Sequence, residues 1–236
     1  MNNKQDPASP NPIAQAAMAR HVETIRRLKI DHDYAYRADE LVTSKLGFMA
    51  AHCDLVLDIG LSSRGKISMF DPGKIETTDI NQGTPPVDII DDICAPSRLQ
   101  YDRYDGVVCM SVLEHVYDPF AAIAEIYKLL KPGGILLLHL PFLFRYHAPR
   151  DLAFPDCYRF SRDGMAWLLR DFSEVTLYSI RGPYSSIFNL HKGWKNSFEK
   201  NLGMGPSRWL DRLGLKLFAR PTSDLQVSGY YAWAKK

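Results

Sequence analysis

The middle of the chain alternates short apolar runs with helical segments, and this order restricts the fold more than any other feature. LVLDI (55–59), IETTDI (75–80), VDII (87–90), DGVVCM (105–110) and ILLLHL (135–140) read as strands. A short helix is expected near Ile67 to Phe70, and a longer one from Asp118 to Leu130. The longer helix carries the strongest signal: Asp118 as N-cap, Pro119 in the first turn, and a stripe of Phe120, Ile123, Ile126, Tyr127 and Leu130 before KPGG ends it. Strands and helices in this alternation give a doubly wound α/β order.

The flanks extend this pattern. Ile13, Ala17, Val22, Ile25 and Leu28 follow a helical period, and Leu41, Val42, Leu46 and Met49 suggest a second helix packed on the domain. Beyond the last strand-like run, a helix fits Ser161 to Phe172, with Met165, Leu168, Leu169 and Phe172 on one face. Strands follow at EVTLYSI and VSGYYAWAKK. PSRWLDRLGLKLFARP places Trp209, Leu210, Leu213 and Leu217 on one side, with Arg208, Arg212, Lys216 and Arg220 mostly elsewhere. We read it as a packed amphipathic helix in preference to one lying on a membrane surface.

Charge and cysteine content narrow the function. With 29 basic and 27 acidic residues among 236, the chain has no broad electrostatic footprint for nucleic acid or an anionic membrane. Cys53, Cys94, Cys109 and Cys157 show no CxxC or other metal-ligand spacing, so no metal is expected, and free thiols suit a reducing cytoplasm. The polar, proline-rich start MNNKQDPASPNP lacks the pattern of a secretory signal. ILLLHLPFLF is interrupted by His139 and Pro141 and is too short to span a bilayer. A soluble cytoplasmic protein is expected.

In an open α/β sheet, ligands bind outside the carboxyl ends of the strands. Asp58, Gly60, Asp79, Asp92 and the run Ser111 to His115 collect there. Asp79 follows Gly60 by 19 residues, the position of a ribose-binding carboxylate, although TTDINQG is equally a turn. Asp92 either accepts from an adenine amino group while Ile93 packs on the ring, or sits in a solvated turn. G-x-G-x-x-G and Tyr-x-x-x-Lys are both absent, which argues against a nicotinamide oxidoreductase.

LVLDIG, IETTDI, DIIDDI, YDGVVCMSVLEHVYDP and KLLKPGGILLLHLPF, in this order and spacing, resemble the class I S-adenosylmethionine-dependent methyltransferases, in particular those with a ubiquinone-type methyltransferase domain. The resemblance covers roughly Leu55 to Leu140. PFLFRYHAPRDLAFPDCYRFSRDGMAWLL is further similar to a subgroup associated with cell-surface glycan biosynthesis. The implied fold is α/β, a Rossmann-like doubly wound seven-stranded sheet, mostly parallel with an antiparallel last strand. The implied organisation is a disordered lead-in (1–12), N-terminal helices (13–52) and a methyltransferase domain (53–236) with an acceptor-side insertion at about 141–220.

The resemblance implies S-adenosylmethionine as cofactor. It makes Asp58 and Gly60 the first contacts, Asp79 with Ile80 the ribose site, and Asp92 with Ile93 the adenine site, and it lays the methionyl portion along Ser111. Glu114 and His115 either flank the reactive end or fix their loop; Pro141, His147, Asp151, Tyr158 and Arg159 fall on the acceptor side. His147 or His115 can take a proton from a hydroxyl or amine, or be structural. Arg145 and Arg159 suit a phosphate, carboxylate or sugar acid; Arg159 pairing with Asp151 is the alternative.

The family's acidic-x-Gly-x-Gly-x-Gly loop reads here Asp58, Gly60, Ser62, Arg64, with Gly65 one place late. A left-handed Ser62 would cost about 1 to 2 kcal/mol. A cofactor without phosphate tolerates side chains in this loop, and the Ser62 or Ser63 hydroxyl can meet the methionyl carboxylate. The implied function is methyl transfer by in-line displacement to a small-molecule or glycan acceptor, with a sugar hydroxyl preferred. A degenerate domain acting as a cofactor-binding or protein-interaction module is the alternative.

Overall fold

The computed structural model describes residues 11–33, 35, 37–63, 65–83, 85–151, 153–190, 205–218 and 225–236. Most of the expected lead-in lies outside these residues. Its last two are ordered parts of a helix: Asn11 caps α1 (Pro12–Arg27) by accepting from the Ile13 N–H, and Pro12 opens it. There follow β1 (Lys29–Asp31), α2 (Ala38–His52), β2 (Val56–Ile59), β3 (Ile75–Asp79), β4 (Ile89–Ile90) and β5 (Tyr104–Met110). Next come α3 (Pro119–Leu129), β6 (Leu130–Pro141), α4 (Arg162–Leu168), β7 (Glu174–Ile180), α5 (Gly205–Phe218) and β8 (Gly229–Lys235). The short helix expected near Ile67 is a 3-10 turn, Lys66–Met69.

The sheet order is β1-β7-β8-β6-β5-β2-β3-β4. β8 runs antiparallel to both β6 and β7, and the remaining pairs are parallel. The sheet therefore has eight strands where seven were expected. The addition is β1, whose three residues pair with Thr176 to Tyr178 of β7. So short a strand between two helices leaves no alternation for a sequence pattern to reveal.

Neighbouring residues on one strand face opposite ways and fill two separate cores. Leu57, Val107 and Leu136 pack toward α3 and α4, with Leu113, Ile126 and Met165. Val56, Val108 and Leu137 pack toward α2, with Leu41, Leu46 and Met49. From β2 the chain moves outward through β3 to β4, then crosses back to β5 on the other side of β2. The carboxyl ends of β2 and β5 thus flank the switch point, where a crevice must open.

α5 is amphipathic as expected, but it is not packed through its apolar side. Trp209, Leu213 and Leu217 are exposed. The helix is held instead by buried Asp211, which accepts from the Gly182, Tyr184 and Ser185 N–H groups. Gly214 also lets the Tyr184 ring come close; a Cβ there would lie 2.4 Å from the ring. Backbone donors left open by the loop after β7 outweigh the apolar stripe in fixing the helix. Among the described residues no helix is long and apolar enough to cross a membrane.

Candidate active site

The loop after β2 is organised around Asp58, which is fully buried. Its carboxylate accepts from the Ser62 N–H at 2.8 Å, the Ser62 hydroxyl at 2.9 Å and the Ser63 N–H at 3.2 Å. Burial raises the Asp58 pKa against the pull of these donors. Ser62 therefore turns its hydroxyl toward Asp58, and the left-handed residue is Leu61 (φ +48°), beside Gly60 (φ +71°). A Cβ on Gly60 would come 2.7 Å from Val112 Cγ2, so bare backbone is required where β2 meets the loop after β5.

Asp79 ends β3 and spends one carboxylate oxygen on the Asn81 N–H at 3.0 Å. Among the described residues the other oxygen carries no hydrogen bond. Ile80 beside it is 60% exposed, an unusual state for an isoleucine at a strand end facing a crevice. Asp92 accepts from the Tyr117 hydroxyl and from the Cys94 N–H, both at 2.8 Å, which pushes the Tyr117 phenol up to about 12. Ile93 is buried. Its neighbour Asp91, not singled out from the sequence, shapes the turn: it accepts from the Ser97, Arg98 and Leu99 N–H groups. Burial alone would raise the Asp91 pKa; these donors outweigh it and lower it.

Ser111 follows β5 with φ +59°, and its hydroxyl meets His139 Nδ1 at 2.7 Å. From there the chain carries Glu114 and His115 toward the loop after β6. Glu114 is 1% exposed, and its backbone carbonyl accepts from the Cys157 and Tyr158 N–H groups at 2.8 and 3.2 Å. His115 Nε2 and His147 Nε2 are 3.1 Å apart. Burial lowers the His147 pKa against the opposing pull of Asp156.

Arg159 is engaged by the loop itself. It donates to Asp156, to the Phe144 and Tyr158 carbonyls and, at 2.9 Å, to the Arg145 carbonyl. Its partner is Asp156 and not Asp151, which is exposed and accepts only from the Ala153 N–H among the described residues. The Arg159 hydrogen bonds hold the Asp156 pKa at about 2 despite burial. Asp156 is the residue that the sequence reading missed; its place three residues before Arg159 was the available signal. Tyr158 donates to the Tyr117 carbonyl at 3.0 Å. Arg145 stacks on Phe144, and its Nη1 is buried without a hydrogen bond among the described residues.

A family model described as a methyltransferase domain matches residues 9–174, most of the chain and every segment just described. The chain belongs to this methyltransferase family. Ubiquinone biosynthesis O-methyltransferases from Proteus mirabilis and Xanthomonas campestris are 46% identical over 50 and 52 residues, which is 21 and 22% of the chain and 20% of each relative. The match thus spans about a fifth of those relatives' length. A methyltransferase structure from Archaeoglobus fulgidus aligns with 86% of this chain and 97% of its own, with a TM-score of 0.50 at 16% identity. One from Thermotoga maritima, a possible histamine N-methyltransferase, covers 94% and 96% with a TM-score of 0.51 at 14% identity. At such identity these two report the fold, and they agree with the sheet found here.

The matched segment identifies the chain as carrying a methyltransferase domain. Along the strand ends lie features that S-adenosylmethionine, the cofactor implied by the sequence resemblance, would use: an open carboxylate oxygen on Asp79, an uncovered Ile80 and bare backbone at Gly60. The structure brings His115, His147, Glu114, Tyr158 and Arg159 together in one loop assembly and leaves Asp151 outside it.

Proposed function

We propose that this methyltransferase methylates a hydroxyl oxygen of a small-molecule or glycan acceptor, with a sugar hydroxyl as the preferred class. The convergence of His115, His147 and buried Glu114 carries this reading, because a hydroxyl, unlike an already deprotonated nucleophile, has a proton to lose. The cofactor supplies a methyl on a sulfonium whose charge disappears on transfer, so the protein's work is alignment, exclusion of water and handling of that proton. Asp79 and Ile80 hold the ribose side, Asp92 and Ile93 the adenine side, and Gly60 and Ser111 the path of the methionyl portion. Asp58 and Ser62 serve by shaping the loop.

Exposed Tyr146 and Phe154, the latter against the His115 ring, offer faces for a sugar ring. Arg145 Nη1 is a ready donor for an acidic group on the acceptor. The names of the ubiquinone O-methyltransferase relatives support oxygen as the methylated atom. Residues 53–236 are read as the catalytic unit, with the parts of 141–220 outside α4 and β7 as its acceptor side. Four free cysteines, one of them exposed, support a reducing cytoplasm.

The test is cofactor turnover against a panel of free, acidic and nucleotide-linked sugars, comparing the protein with His147→Ala. The expected outcome is turnover on a hydroxyl acceptor that falls about 100-fold in the variant, while affinity for the demethylated cofactor stays the same. Equal loss of both would make His147 structural and end this reading.

A further inference from the structure

Three lone-pair-bearing atoms converge at the mouth of the acceptor loop. His115 Nε2 and His147 Nε2 are separated by 3.1 Å, and Glu114 Oε1 lies 3.8 Å from the first and 3.9 Å from the second. The far nitrogen of each ring already has an oxygen acceptor. His115 Nδ1 points at the Pro155 carbonyl at 2.5 Å. His147 Nδ1 is hydrogen-bonded to the Arg145 carbonyl at 3.4 Å and lies 3.1 Å from Asp156 Oδ2. Arg159 Nη2 lies 3.5 Å from the same nitrogen, but it is committed at 2.7 Å to Asp156 and at 2.9 Å to the Arg145 carbonyl.

A carbonyl oxygen only accepts, so His115 carries its proton on Nδ1 against Pro155, and the Arg145 carbonyl, with the Asp156 carboxylate close by, favours the same tautomer in His147. With both rings neutral, each presents an Nε2 lone pair to the other, beside a carboxylate oxygen. Two lone pairs and an anion facing one another repel unless a cation lies among them.

We propose that Glu114, His115 and His147 form a binding site for a divalent transition-metal ion such as Zn²⁺ or Co²⁺. Two imidazoles and one carboxylate are a ligand set that such ions favour, whereas Mg²⁺ and Ca²⁺ favour all-oxygen sets. All three ligand atoms lie within 4.8 Å of one another. The Arg145 and Pro155 carbonyls supply the kind of outer hydrogen bonds that fix ring and tautomer around metal-bound histidines. No spacing motif marks the site, because its ligands come from two loops 32 residues apart. Three protein ligands leave a coordination position open, and an acceptor hydroxyl bound there would lose its proton more easily. That catalytic use rests on the hydroxyl-acceptor reading; metal binding does not.

The experiment is titration of the chelator-treated full-length protein with CoCl₂, read by visible absorption, followed by displacement with ZnCl₂. One equivalent of Co²⁺ should give ligand-field bands in the visible that Zn²⁺ abolishes. His115→Asn and His147→Gln should each remove the bands, Glu114→Gln should weaken binding at least tenfold, and Asp151→Ala should leave it unchanged. Circular dichroism and affinity for the demethylated cofactor check that the variants fold. In the unaltered protein, Zn²⁺ should also move the histidine ¹⁵N resonances of the two Nε2 atoms. No binding at millimolar metal, or binding that survives in both histidine variants, would overturn the site. So would histidine resonances that respond to pH and not to metal, which would mean a shared proton only. Stoichiometric binding without turnover on any hydroxyl acceptor would support the site and remove the acceptor reading.

Discussion

In the proposed adenosyl half of the crevice, three carboxylates are satisfied mainly by backbone two to eight residues ahead, Asp79 by Asn81, Asp58 by Ser62 and Ser63, Asp91 by residues up to Leu99, and Asp92 alone reaches further, to the Tyr117 hydroxyl. In the proposed acceptor half the contacts that join its two loops lie 32 to 41 residues apart: His115 with His147, His115 with Pro155, Tyr117 with Tyr158. Local turns of the first kind are specified by neighbouring residues and depend little on the rest of the chain. Contacts of the second kind exist only once two loops meet, so His115 and His147 can be exchanged without disturbing the cofactor half, whereas Tyr117 touches both through Asp92. That division suits a fold whose cofactor is constant and whose acceptor varies.

Substitutions that separate the two halves break or sharpen this comparison. The largest effect is expected from Asp58→Ala, which strands two buried N–H groups and a hydroxyl: a loss of about 3 kcal/mol in chemical denaturation together with cofactor binding. An unchanged midpoint would mean that another group holds the loop. Asp91→Asn should cost about 2 kcal/mol near neutral pH, because four N–H groups lose their ionised acceptor. The folded-state pKa of Asp91 is depressed, so its contribution is present above the unfolded value and fades as pH falls through the folded one. Stability curves of the two proteins should accordingly converge below about pH 4, and a constant gap would rule out the charge as the cause.

Asp79→Ala should raise the dissociation constant of the demethylated cofactor at least tenfold with the denaturation midpoint nearly unmoved, since one charge-assisted hydrogen bond is worth about 1.5 to 3 kcal/mol. A shift in stability alone would return Asp79 to a turn-forming role. Asp151→Ala is expected to change stability by less than about 0.5 kcal/mol and to leave turnover intact. A marked loss of turnover would bring Asp151 back into the acceptor site.

The same contrast explains what the sequence revealed. The strands around Val56, Val107 and Leu136 and the helix capped by Asp118 were legible because period, cap and proline are local signals. β1 was not, being three residues with no alternation. The reading of Ser62 as a cofactor contact overlooked Asp58 as the nearer claimant on its hydroxyl, and the left-handed strain fell on Leu61 instead. Asp151 and Asp156 look alike in sequence; only the folded loop shows that Asp156 is buried between His147 and Arg159. α5 was misjudged for the same reason, since Asp211 anchors it through donors 26 to 29 residues away.

The division of the crevice is tested most directly by calorimetric titration of the demethylated cofactor into the unaltered protein, Asp79→Ala and the double variant His115→Asn/His147→Gln. The account predicts a dissociation constant at least tenfold weaker for Asp79→Ala and within twofold of the unaltered protein for the double variant. A tenfold loss in the double variant, with its fold intact, would contradict it.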